Sequence, residues 1–61
     1  MPVFVKPDNL IAINGYDGDN LTRVLLVAEV YPNRVLGLDA SRNQWRCYSL
    51  SKIGSITEVK Q

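Results

Sequence analysis

The 61 residues predict a mostly β domain, a small barrel of about five strands with a single helical turn before the last strand. Three observations carry this reading. Short runs rich in β-branched and aromatic residues follow one another along the chain. Turn signals such as Asp17-Gly18 and Pro32-Asn33 separate the runs at roughly 8–12-residue spacing. The apolar period changes from two to three between Ser49 and Gly54, where a strand gives way to one tight turn.

In Met1 to Asn9, Pro2 and Pro7 disfavour helix and remove backbone donors. Val3, Phe4 and Val5 can form a short edge segment or pack over an open end of the barrel, with Phe4 as a core plug. Leu10 to Asn14 is short and rich in Ile, and is assigned as a strand. Tyr16 to Asn20 holds the turn dipeptide Asp17-Gly18, since Gly takes positive φ freely and Asp tolerates it. Asp17 and Asp19 match the first two ligand spacings of an EF-hand loop. Leu21 then occupies the third, and the glycine and distal glutamate are missing, so a solvated hairpin turn is the better reading.

Leu21 to Tyr31 is the longest apolar run. Val24, Leu26, Ala28 and Val30 share one face, and Arg23, Leu25, Val27, Glu29 and Tyr31 the other. Both faces are largely apolar, so the strand is expected to be central or to lie in an interface. Arg34 to Asp39 is a third strand, with Leu36 and Leu38 expected inward and Gly37 marking a bend or a close backbone approach. Ala40 to Asn43 is a polar turn. From Gln44 the alternation puts Trp45, Cys47 and Ser49 on one side and Arg46, Tyr48 and Leu50 on the other. Leu50 and Ile53 then stand one helical turn apart, Gly54 ends the turn, and Ser55 to Val59 can close the barrel.

One domain of this size buries only about 60% of its unfolded surface. Cys47 is the lone cysteine and there is no histidine, so neither a disulfide nor a zinc site can staple the fold. Oligomerisation is the expected rescue. Leu25 and Val27 lie opposite Leu26 and Ala28, and one of these pairs lacks a place in a single small core; a homo-oligomer is therefore expected, with Val27→Glu as its probe. A net charge of +1 is too balanced for a general polyanion binder but leaves room for a local basic pocket. The start of the chain lacks a signal-peptide pattern, no apolar run approaches the ~20 residues of a membrane span, and an unpaired cysteine fits a cytoplasmic protein. The carboxylates Asp8, Asp17, Asp19, Glu29, Asp39 and Glu58 form no recognisable acid–base pair, and there is no glycine-rich phosphate loop. Hence no enzyme, metal or cofactor is expected.

Leu36 to Ile56, LGLDASRNQWRCYSLSKIGSI, resembles the WYL domain, an Sm-like, SH3-like β-barrel module of bacterial regulators. The shared pattern is an apolar strand ending in Asp, a polar turn, then Trp-Arg-x-aromatic-x-Leu-x-basic-Ile, filled by Trp45, Arg46, Tyr48, Leu50, Lys52 and Ile53. Tyr16, Asp17-Gly18 and Arg23 are similar to the family's first hairpin. The tripeptide that names the family reads Asn33-Arg34-Val35 here. The resemblance implies a stand-alone minimal module, without the winged-helix DNA-binding companion, that binds nucleic acid or a nucleotide-like ligand.

On that reading Arg23, Arg46 and Lys52 form a basic pocket, since a guanidinium offers a planar fork for phosphate. Tyr16, Tyr48 and Trp45 are candidate base-stacking aromatics. The alternatives are structural. Arg23 and Arg46 can pair with Asp39, Glu29 or Asp17, for under about 1 kcal/mol if exposed. Tyr48 suits a core aromatic with its hydroxyl at the rim, Trp45 suits an interface if its face is outward, and Cys47 suits a half-buried structural position. Two functions follow: a regulatory module binding single-stranded nucleic acid or a nucleotide-like ligand, or an oligomeric protein–protein assembly subunit with no ligand of its own.

Overall fold

β-branched and aromatic runs become strands wherever one set of alternate residues can be buried. The structure, a computed structural model, describes residues 1–60. It is mostly β: β1 (Leu10–Asn14), β2 (Thr22–Val30), β3 (Arg34–Asp39), β4 (Gln44–Ser49) and β5 (Ser55–Glu58). A 3-10 turn over Tyr16–Gly18 follows β1, and a second over Leu50–Lys52 sits between β4 and β5. All pairings are antiparallel, in the order β4-β3-β2-β1-β5. No ladder among the described residues joins β4 to β5; the second 3-10 turn stands between them. A flat single sheet would be about 10 Å thick, whereas the shortest dimension is 20 Å. One face of the sheet packs into a single cluster together with the N-terminal segment and the second 3-10 turn, and the ladders among the described residues do not close it into a barrel.

That inner face is the core. Ile11, Ile13, Leu25, Val27 and Val35 are fully buried, each worth roughly 1.5–3 kcal/mol relative to exposure. Val5 and Tyr48 complete the buried cluster, and Phe4, Leu50, Ile53 and Ile56 pack against it. The N-terminal segment thus packs on the core through Phe4 and Val5, and β1 keeps the bounds expected of it. Asp17 and Asn43 take left-handed φ values of 53° and 55°, which Asp and Asn tolerate better than other non-glycine residues.

Three expectations change. Leu36 and Leu38 do not point inward: Val35, Gly37 and Asp39 do. The register explains this, because Asp39 faces Leu25, Gly37 faces Val27 and Val35 faces Val30, all inward residues of β2. Val27 itself is core, so a charge placed there tests folding and not an interface. Cys47 is exposed, because it shares the outer parity of Trp45 and pairs with Leu36. Between Val27 and Glu29 the register shifts, and this bulge turns Val30 inward with Val35.

Gly37 resolves as a close backbone approach. A Cβ there would collide with the Leu26 carbonyl oxygen and stand 2.8 Å from Leu25 Cγ. Both obstacles are fixed, one being backbone and the other a fully buried side chain. Gly37→Ala is expected to destabilise the fold by about 1–3 kcal/mol, read as a lower urea midpoint. An unchanged midpoint would contradict this packing.

Candidate functional site

At one end of the sheet the inner face stops being apolar. Inward parity that delivers Leu25 and Val27 to the core also delivers Arg23 from β2; in the same way β3 delivers Asp39, and β4 delivers Arg46 beside Tyr48. With Tyr16 from the first 3-10 turn and Arg42 from the 40–43 turn, these side chains line a cleft of about 240 Å³. Exposed Cys47 stands at the same cleft.

The aromatic floor is rigid. Tyr16 and Tyr48 meet edge to face, with ring centroids 4.9 Å apart at 80°. The Tyr16 hydroxyl accepts the Ser49 N–H at 3.1 Å, tying the first turn to the end of β4. Tyr48 is 6% exposed, so its ring is a wall of the core and not a free stacking platform.

Arg23 is held on two sides. Its guanidinium carbon lies 5.8 Å from the Tyr16 ring centroid, and its Nη2 donates to Asp19 Oδ2 at 2.7 Å. The hydrogen bond to Asp19 raises the Arg23 pKa, and the same bond, aided by the Leu21 N–H, holds the Asp19 carboxyl below its usual range. The other nitrogen, Nη1, is buried with no hydrogen-bond partner among the described residues. A buried donor in that condition is costly unless something outside the chain meets it.

Asp39 anchors the turn that carries Arg42. Its Oδ1 accepts from the Ser41 hydroxyl at 2.8 Å, the Ser41 N–H at 3.0 Å and the Arg42 N–H at 3.2 Å. The Ser41 hydroxyl is the main reason the Asp39 pKa is lowered; burial opposes the shift, while the two N–H groups and the Arg42 charge add to it. Burial pushes the Tyr48 phenol up and Asp39 adds to this, against Arg23, Arg46 and Arg42. Arg23, Arg42 and Arg46 set against Asp39 and Asp19 leave one net positive charge at the cleft.

Four of the six residues singled out from the sequence therefore meet: Tyr16, Arg23, Arg46 and Tyr48. Trp45 does not join them; it is 66% exposed on the outer face. Lys52 is exposed on the second 3-10 turn and does not line the cleft. Arg23 pairs with Asp19 and not with Asp17, Glu29 or Asp39, while Glu29 bonds the Tyr31 hydroxyl and Arg46 reaches only Gln44, at 3.4 Å. Arg42 escaped the sequence reading. Its signal is Asp39-Ala40-Ser41-Arg42, an Asp followed two residues later by Ser, which suits a side-chain-anchored turn.

A larger groove of about 390 Å³ lies between Met1, Pro2 and Pro32 on one side and Leu50, Ile53 and Ile56 on the other. No charged side chain lines it, so it offers no comparable chemistry. Among the described residues no three His, Cys, Asp or Glu side chains are grouped to hold a metal, and no helix is long and apolar enough to cross a membrane. The chain matches no family model, no curated protein and no solved structure.

The lowered Asp39 pKa fixes a sign. Its stabilising contribution is fully present above the ordinary carboxylate range and is lost as pH falls through the depressed value. Asp39→Asn is therefore expected to lower the thermal midpoint at neutral pH, with the gap to wild type closing as pH falls below the ordinary carboxylate range and through the depressed value. A gap independent of pH would show that the charge is irrelevant to the turn.

Proposed function

We propose that this protein is a non-enzymatic binding module whose cleft takes the phosphate of a nucleic acid or nucleotide-like ligand. The observation behind this reading is the cleft that gathers the guanidinium groups of Arg23, Arg42 and Arg46. Guanidinium forks suit the geometry of a phosphate. Tyr16, half-buried at the cleft, is the aromatic that remains available to a base or sugar. The likeness of Leu36 to Ile56 to WYL domains points to the same class of ligand and to a regulatory role.

Titration with a single-stranded oligonucleotide at low salt tests the proposal. Neutralising one or two phosphates gives a log–log salt slope of about −0.7 to −1.4. Arg46→Ala is expected to weaken binding about tenfold, the loss of one charge-assisted hydrogen bond. No binding at high micromolar concentration overturns the reading.

A second reading, assembly through the outer face, rests on a different observation. Leu10, Leu26, Leu38 and Trp45 lie side by side across four strands, with Leu26 38% exposed. In this reading the chain is a homo-oligomer or partner subunit. Light scattering on Leu26→Glu tests it: the variant stays folded and becomes a smaller species than wild type. A wild-type monomer at high micromolar concentration sinks the homo-oligomer.

A further inference from the structure

Asp39 is an odd residue to find at an anion site. Its charge opposes a bare anion, and its structural task uses one oxygen only. Oδ1 takes all three donors from the 39–42 turn, and Oδ2 takes none of them. The residue is 3% exposed, yet it lines the cleft among the three arginines. Oδ2 keeps contact with the cleft and has acceptor capacity to spare, which suits a ligand that brings a donor as well as an anion.

Size and charge narrow that ligand. A cleft of about 240 Å³ falls below the roughly 300–1,000 Å³ that encloses drug-sized molecules. One net positive charge balances one phosphodiester, not a run of them. The ligand is then a single unit in which a phosphate and a hydrogen-bond donor are neighbours. In a polynucleotide that juxtaposition belongs to RNA, where the ribose 2′-hydroxyl stands beside the 3′-phosphate; DNA has the phosphate without the donor.

We propose that the cleft binds one ribonucleotide unit of single-stranded RNA, the phosphate among the guanidinium groups of Arg23, Arg42 and Arg46, and the 2′-hydroxyl donating to Asp39 Oδ2. This rests on the reading of the cleft as a phosphate site. It turns Asp39 from a liability for anion binding into the residue that separates RNA from DNA.

The test compares hexauridylate with its 2′-deoxy and 2′-O-methyl counterparts by fluorescence anisotropy at low salt. The ribo form is expected to bind about tenfold more tightly than either, since one hydrogen bond to a charged acceptor is lost in both. Asp39→Asn, which keeps an oxygen for the turn and replaces the free oxygen by an amide NH₂, is expected to bring the three affinities together. The 2′-O-methyl arm needs only the wild-type protein, so the test survives if that variant misfolds. Equal binding of ribo and deoxy forms, or ribo-like binding of the 2′-O-methyl form, overturns the proposal while leaving the phosphate site standing. Binding of none of the three overturns both.

Discussion

The fold depends on how β2 is phased against its neighbours. Arg23, Leu25 and Val27 follow one inward parity, and the register shift between Val27 and Glu29 resets it so that Val30 is inward too. A bulge inserts one residue, and with a side-chain period of two that single residue exchanges the faces of everything beyond it. Gly37 lies opposite, where a side chain would strike the Leu26 carbonyl. Bulge and glycine together let β3 lie close to β2 while both supply the core. Without the reset, Val30 would face outward opposite Val35, and the inner face would lose an apolar pair at the end where Tyr48 packs.

The same phasing places polar groups where a domain this small can least accommodate them. The large fully buried side chains among the described residues are Ile11, Ile13, Leu25, Val27 and Val35, yet the inner face gives positions at one end to Arg23, Asp39 and Arg46. Arg23 is partly compensated by Asp19 and the Tyr16 ring, and Asp39 by the turn it anchors. Among the described residues Arg23 Nη1 has no hydrogen-bond partner, and the three donors of the 39–42 turn all go to Asp39 Oδ1. Apolar residues at those positions would enlarge the core and remove the desolvation penalty. Polar groups that the fold does not use, held rigidly at a concave surface, have the physical character of a binding site.

Much of the fold was legible in the sequence, and the exceptions share a cause. β1 was readable because Ile11 and Ile13 face in while its ends meet turn residues, and the second 3-10 turn because Leu50 and Ile53 break the strand period. β3 misled because Leu36 and Leu38 are its larger apolar residues, while the inward set of Val35, Gly37 and Asp39 holds only one. An alternating pattern identifies a buried face only when that face is the more apolar one, and here the neighbouring strand decided. Cys47 was misplaced by its chemistry alone, since its parity with Trp45 already indicated the outer face. For the site, parity correctly joined Arg46 to Tyr48. The Asp19–Arg23 pair and the Arg42 turn depend on local backbone geometry that periodicity does not encode.

Because β-strand side chains alternate, the two proposed surfaces fall on opposite sides of one sheet. The cleft opens from the inner face, and the Leu10, Leu26, Leu38 and Trp45 row occupies the outer one. β4 contributes to both, through Arg46 and Tyr48 on one side and Trp45 on the other. A partner covering the outer row would leave the cleft open, so assembly and ligand binding need not compete. They would instead be coupled through β4, an end strand paired only to β3 and free of any ladder to β5 among the described residues. Its end is also held from the first turn, where the Tyr16 hydroxyl accepts the Ser49 N–H. Fixing it from the outside by packing on Trp45 would also steady Arg46 at the cleft, and the unpaired edge of β4 is what makes that linkage physically available.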